Sequence, residues 1–181
     1  MTAESLPGGP FIARIDAAAP DEAAAELAPL FEGAPRFLAR VVAARPLGTW
    51  DRLFDRAREL AHAMPAAEQV ELIDAHPRLG APRHAVSAFS SREQGYDRSG
   101  AAITASTSPA AEPLATLNDA YEARFGFRYC VFVAGRPLAA LVPDLEAALT
   151  ADRDAELHRA LDAVIDIAMA RQAATAESQP R

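Results

Sequence analysis

Apolar residues recur at steps of three and four positions along most of the chain, which is the period of a helix with one buried face. The pattern starts near Asp21 and predicts two short helices separated by a turn at 33–35. A longer amphipathic helix follows, with Thr49 as its N-cap. The next predicted helix covers 66–75 and is ended by Pro77, because proline disfavours helical geometry in the residue before it.

The C-terminal part of the chain shows the same period. A helix from Pro113 is predicted to end at Gly126, since glycine readily takes the left-handed conformation that closes a helix. Two more helices are predicted, one over 144–149 and one from about 152 or 154 to 171. Glycine and proline interrupt the region 78–110, where only a short helix near Ser90 is predicted. The pattern indicates an all-α, single-domain helical bundle of about seven or eight helices with an irregular middle segment.

The run 127–133 alone has high strand propensity. No second run of this character exists to pair with it, so it is read either as an extended buried segment or as the start of a helix. If it is extended, its unpaired main-chain N–H groups become candidate ligand donors. Cys130 lies in this run, and a buried packing thiol is favoured over a nucleophile.

The composition fits a single domain that can bury a sizeable hydrophobic core, since half of the 181 residues (50%) are hydrophobic. The predicted boundaries are a flexible lead-in over 1–10, the helical domain over 11–171 and a frayed tail over 172–181.

Charge and cysteine content narrow the class of protein. The net charge is -7, and the absence of a basic stripe argues against a nucleic-acid partner. No apolar stretch approaches the ~20 residues that cross a bilayer, so no membrane partner is expected. No signal peptide is apparent, and the single cysteine cannot form an internal disulfide, so a reducing, cytoplasmic location is expected.

Candidate chemistry centres on His76, which is followed by proline at a predicted helix end, with Ser90 and Glu93 downstream. An imidazole beside a carboxylate can handle protons near neutral pH. The spacing of Ser90 and Glu93 is also that of a capping box, so this pair can equally be only a helix start. His62 and His84 lack the spacing of a metal site with His76, and no metal is predicted.

Four blocks carry a resemblance to a known family. They are LIDAHPRLG (72–80), SSREQ (90–94), LNDAYEARFGF (117–127) and IAMAR (167–171). In this order they resemble the signature blocks of the OHCU decarboxylase family, where OHCU is 2-oxo-4-hydroxy-4-carboxy-5-ureidoimidazoline. The resemblance implies an all-α fold, a homodimer, OHCU as the small-molecule substrate, and decarboxylation to (S)-allantoin in urate degradation. It also implies that neither a metal nor an organic cofactor takes part.

The resemblance assigns roles to individual residues. His76 matches the family's catalytic histidine, and Glu93 matches the carboxylate paired with it. The substrate-binding positions that it implies are Pro77, Ser90, Gln94, Phe127, Tyr129, Cys130, Val131 and Arg171. Three places depart from the family pattern: 148–151, 95–100, and Arg128, which stands where proline is common.

Two other functions remain open from the sequence. A hydrolase acting on a related cyclic ureide could use the same histidine and glutamate with an activated water, and would open a ring without releasing CO2. A non-catalytic helical interaction domain would show the same periodicity. In that case, changing His76 or Glu93 would affect stability only.

Overall fold

A computed structural model describes residues 9–81 and 111–177, and these two ranges contain helices and loops without a strand. Their eight α-helices are α1 (Gly9–Ala17), α2 (Pro20–Leu27), α3 (Pro35–Ala43), α4 (Trp50–Ala63), α5 (Ala66–Asp74), α6 (Ala111–Phe125), α7 (Val142–Ala148) and α8 (Arg153–Glu177). Two short 3₁₀ helices cover Ala28–Leu30 and Leu138–Leu141. The predicted all-α class is confirmed. The predicted irregular middle lies almost entirely outside the described residues.

The chain divides into two compact units. The described residues of the first unit are 9–72 and 165–177, and those of the second are 73–81 and 111–164. The divisions fall inside α5 and α8, so both helices contribute residues to both units. Within the described ranges, no helix combines the length and the apolar character that crossing a bilayer requires.

The first unit is built on a stack of amphipathic helices. Helix α2 packs on α3, and α3 packs on α4. The fully buried large side chains of this unit include Leu27, Phe31, Phe37 and Leu53. The loop after α3 is tied back to α1 by Asp16, whose carboxylate accepts hydrogen bonds from the main-chain N–H groups of Leu47 and Gly48 at 2.7 and 2.9 Å.

Several helix ends lie where local sequence signals predicted them. Thr49 caps α4, and its hydroxyl accepts the Arg52 N–H at 3.2 Å. Helix α5 ends at Asp74, just before the turn that leads to Pro77. Helix α6 ends before Gly126, which has a positive φ of 79° and donates its N–H to Glu122 O. These three predictions are confirmed.

Both termini of the described chain are more helical than the sequence predicted. Helix α1 begins at Gly9, inside the segment read as a flexible lead-in, because Pro10 stands in the first turn, where its missing N–H costs no helical hydrogen bond. Helix α8 continues to Glu177 rather than ending near Arg171. The sequence beyond Arg171 is rich in alanine, which favours helix.

The second unit has an aromatic centre. Tyr121, on α6, contacts three other rings at centroid distances of 4.5 Å for Phe125, 5.8 Å for Phe127 and 5.2 Å for Tyr129. All four side chains are nearly or completely buried. The extended segment after α6 is therefore anchored by its own aromatic residues against the helix that precedes it.

Candidate active site

His76 lies in a short turn in the second unit. Its main-chain N–H donates to Ile73 O at 3.1 Å, which continues the last turn of α5 before Pro77 changes the chain direction. The residue is 4% exposed, so its imidazole lies in a nearly water-free environment. Pro77, which follows it, is half-buried.

Helix α6 holds the residues that follow His76. Arg78 donates to both carboxylate oxygens of Glu122 at 2.6 and 2.8 Å and to Asp119 at 2.7 Å. These hydrogen bonds, first with Glu122 and then with Asp119, raise the pKa of the Arg78 guanidinium well above its ordinary value. The bidentate geometry fixes the position of this side chain on the helix surface.

The next two residues are held by close packing and by a buried amide. Asn118 is 2% exposed and donates from Nδ2 to Leu79 O at 3.0 Å. Gly80 has a φ of +77°, and a Cβ at this position would lie 3.2 Å from Leu114 Cδ1. The backbone conformation favours glycine here, and the close approach of α6 leaves little room for a Cβ. The turn from His76 to Gly80 is thus fitted to the surface of one helix.

We expect Asn118→Ala to lower the free energy of unfolding by about 1–2 kcal/mol, because Leu79 O loses its buried donor. Asn118→Asp should lower the free energy of unfolding further, because aspartate has no N–H to donate to Leu79 O and its carboxylate would be buried. Urea denaturation measures both. Thr116→Ala, at an exposed position on the same helix, is the control and should stay within about 0.5 kcal/mol of wild type. Equal stability of wild type and Asn118→Ala would contradict this account of the turn.

The run 127–133 has neither helical nor strand assignment, which contradicts its reading as a helix start and leaves the reading as an extended segment. Phe127, Tyr129 and Cys130 are buried, while Val131 is half-buried. Arg159 supports the segment by donating to Cys130 O at 2.9 Å, and its guanidinium lies 4.9 Å from the centroid of the Tyr129 ring. The thiol of Cys130 is buried, as predicted.

Several main-chain donors of this segment have no acceptor among the described residues. Across the described ranges, the N–H groups of Tyr129, Val131, Phe132 and Val133 donate no hydrogen bond. These residues are buried or half-buried, and main-chain donors in such positions normally find a partner. Their role as ligand donors stays a prediction.

Arg128 connects the extended segment to the turn that contains His76. Its main-chain N–H donates to Asp74 Oδ1 at 2.8 Å. Its Nη1 donates to two carbonyl oxygens, Asp74 O at 2.7 Å and His76 O at 3.0 Å. The structure thus brings His76 and Pro77 together with the segment that contains Phe127, Tyr129, Cys130 and Val131.

A buried polar network lies behind the extended segment. Glu156 is 5% exposed and accepts the Tyr121 hydroxyl at 2.7 Å. It also accepts Arg159 Nε at 3.0 Å. Burial first, and then the hydrogen bond to Glu156, raise the pKa of Tyr121 well above its ordinary value. Burial is the largest single influence on the pKa of Arg159 and lowers it, but the hydrogen bond to Glu156 and the electrostatic attraction of Glu156, Tyr121 and Tyr129 together outweigh burial and raise the pKa.

The other predicted site residues are placed differently. Ser90, Glu93 and Gln94 lie outside the described residues, so the carboxylate partner of His76 stays a prediction. Arg171 belongs to the first unit, where its buried guanidinium donates to Glu32 Oε1 at 2.7 Å and to Pro29 O at 2.9 Å. Its predicted contact with substrate also stays a prediction.

Three residues that hold this region together have no local sequence signal: Arg128, Glu156 and Arg159. In the sequence, Arg128 is distinguished only by its departure from the family pattern. Its partner Asp74 is 54 positions away in the chain. Glu156 and Tyr121 are 35 positions apart, and each is placed on an ordinary helical period. Contacts of this separation leave no mark in local periodicity.

Comparison with known proteins places the chain in a family. The family model of OHCU decarboxylase matches residues 16–173. A uric acid degradation bifunctional protein of Bacillus sp. (strain TB-90) is 27% identical over 142 residues, and the match covers 78% of this chain and 27% of that protein. A 2-oxo-4-hydroxy-4-carboxy-5-ureidoimidazoline decarboxylase of Haloferax volcanii is 27% identical over 144 residues, covering 80% of this chain and 83% of that one.

The fold agrees with that of a solved member. A crystal structure of OHCU decarboxylase in the presence of (S)-allantoin superposes with a TM-score of 0.64 at 22% identity, covering 83% of this chain and 96% of that one. The match to the family model spans most of the sequence, and the chain belongs to the OHCU decarboxylase family. It spans only about a quarter of the length of the Bacillus protein.

Proposed function

We propose that this protein decarboxylates 2-oxo-4-hydroxy-4-carboxy-5-ureidoimidazoline to (S)-allantoin and CO2 in the degradation of urate. Family membership is the principal support. The observation in the structure that supports it most directly is Arg128, which bonds the carbonyl of His76 to the segment that presents main-chain N–H donors. This link between the proposed proton-handling side chain and the proposed ligand donors supports the assignment of both to one site.

The reaction needs little beyond orientation and proton transfer. The bond between the ring carbon and the carboxylate breaks, CO2 leaves, and the electron pair of that bond moves into the adjoining ring C=N. The ring nitrogen takes up one proton, which leaves an enol. The enol becomes the ketone of allantoin when its hydroxyl loses a proton and the carbon that bears the ureido group gains one on a single face. The enzyme must hold the carboxylate out of the ring plane, stabilise the negative charge entering the ring, and deliver the proton to one face.

In this proposal His76 handles the proton. Imidazole has an ordinary pKa of about 6.5, so it can both accept and donate a proton at working pH. Glu93 is proposed to orient the ring and to favour its charged form. Because His76 is only 4% exposed, bulk water does not compete strongly for its hydrogen bonds.

The remaining predicted residues bind the substrate in this proposal. Hydrogen bonds from the N–H groups of Tyr129 and Val131 to ring or ureido oxygens would fix the orientation of the ring. Phe127 and Cys130 support the segment from the buried side. Pro77 limits the conformations of the turn next to His76, while Ser90 and Gln94 are proposed to contact the ureido group. A homodimer in the cytoplasm is proposed on the family resemblance.

Carbon-13 NMR can test the reaction type. Urate labelled at C6, the carbon that becomes the carboxylate, is converted to the substrate in situ by urate oxidase and hydroxyisourate hydrolase. With this protein added, the label should appear as bicarbonate much faster than in the uncatalysed control. If the label were retained in a ring-opened acid, the protein would be a cyclic-ureide hydrolase. A signal that decays at the uncatalysed rate would indicate a protein without this activity.

A further inference from the structure

We infer that Arg128 is the positioning residue for His76. This inference rests on the proposed function, because it concerns the geometry of the histidine that the proposal makes catalytic. Arg128 makes three hydrogen bonds between the extended segment and the end of α5. Two of them come from one guanidinium nitrogen, which is shared between Asp74 O and His76 O.

The two carbonyl oxygens lie on either side of the peptide bond that leads into His76, so the turn is held both before and after that bond. Asp74 O is one of the last carbonyls of α5, and such carbonyls have no partner within the helix. His76 O belongs to the peptide that joins His76 to Pro77, so it has only the conformational freedom that the proline ring leaves. A single charged donor bound to both oxygens holds the His76 main chain in one position relative to α5.

The charge of Arg128 is directed at carbonyl oxygens rather than at a carboxylate. Within the described ranges its guanidinium forms no ion pair, and the residue is half-buried. Charge-assisted hydrogen bonds are stronger than neutral ones, and a half-buried site screens them less than bulk water does. The main-chain N–H of the same residue bonds the Asp74 side chain at 2.8 Å. A proline at this position could make none of the three hydrogen bonds.

The consequence is a coupling between the two halves of the proposed site. The same residue that begins the donor segment sets the position of the His76 main chain, so the histidine and the ligand donors move as one body. A residue that positions His76 without touching the substrate should affect kcat, the rate at which the bound complex reacts, rather than substrate affinity.

Arg128→Met tests this, because methionine keeps much of the stem and removes the donors. We expect kcat to fall by about 10- to 100-fold while KM changes by no more than about threefold. Arg128→Lys keeps one charged donor that can reach one carbonyl, so its kcat should lie between those of wild type and Arg128→Met. Arg124→Met is the matched control, since among the described residues Arg124 donates only to Ala151 O, and its kcat should equal that of wild type.

The outcomes separate this inference from the proposed function. An inactive wild-type protein would overturn the proposed function itself. If wild type is active and the kcat of Arg128→Met lies within about twofold of the wild-type kcat, only the positioning role is overturned. A similar loss in Arg124→Met would also overturn it, because the effect would then be general destabilisation. If Arg128→Met does not fold by far-UV circular dichroism, Arg128→Lys decides: a reduced kcat at unchanged KM supports the role, and an unchanged kcat overturns it.

Discussion

Replacement of His76 by alanine is expected to lower kcat for OHCU decarboxylation by about 100- to 10,000-fold. The reason is that the proposal assigns proton handling to this imidazole, and alanine has no group to take its place. His76→Gln should lose nearly as much, because glutamine keeps the volume and the hydrogen-bonding capacity but does not titrate. Initial rates on substrate generated in situ, at saturating and at low substrate, give kcat and KM for each variant.

The control is another histidine in the same unit. His158 is exposed on α8, and His158→Ala should keep the activity of wild type. His76 is buried, so the variants also need a thermal unfolding measurement. Folded His76→Gln with full activity would show that the proton comes from elsewhere, and would remove this residue from the mechanism.

Replacement of Glu156 by alanine is expected to give the largest loss of stability, about 3 kcal/mol. It leaves the buried Tyr121 hydroxyl without its acceptor and Arg159 without its ion-pair partner. The expected loss lies at the low end of the range for a broken buried pair, because the Arg159 side chain keeps 35% of its exposure and water can solvate part of the charge. Urea denaturation of the isolated variant measures the change in the free energy of unfolding.

Two further variants test the assignment to Glu156. Glu156→Gln keeps an acceptor for Tyr121 but loses the charge, so its stability should lie between those of wild type and Glu156→Ala. Glu146→Ala removes an exposed glutamate from α7 and should stay within about 0.5 kcal/mol of wild type. If Glu156→Ala lowers the free energy of unfolding by less than about 1 kcal/mol, the network contributes little to stability, as has been found where some buried ion pairs are replaced.

The network also has a consequence for the site. Arg159 donates to Cys130 O as well as to Glu156, so the carboxylate keeps in place the side chain that supports the donor segment. A destabilised but folded Glu156→Gln variant should therefore also bind substrate more weakly, which would appear as a higher KM.

The helices were predictable where the signal is local. Thr49, Pro77 and Gly126 each act on the backbone of their immediate neighbours, so their effect can be read from the sequence alone. The start of α1 could not be predicted from Gly9 and Pro10, because both residues disrupt the interior of a helix but are tolerated in its first turn. The extension of α8 beyond Arg171 depends on alanine propensity, which is a weak signal when the periodic apolar residues have ended.

The candidate site was predictable only in part. His76 and its proline stand next to each other in the sequence, and the resemblance to the family added the segment after Phe127. The bonds that join these two parts depend on Arg128, which reaches 52 positions back in the chain to His76 O. Because a local pattern contains no information on such a distance, the departure from proline at 128 could be noted but its structural role could not be predicted.

Circular dichroism of the product tests the central claim most directly. Substrate is generated from urate by urate oxidase and hydroxyisourate hydrolase, and the optical activity of the solution is followed with and without this protein. The proposal predicts rapid formation of optically active (S)-allantoin with the protein present, and slow formation of racemic allantoin without it. Slow formation of racemic product in both samples would contradict the assignment of this protein as an OHCU decarboxylase.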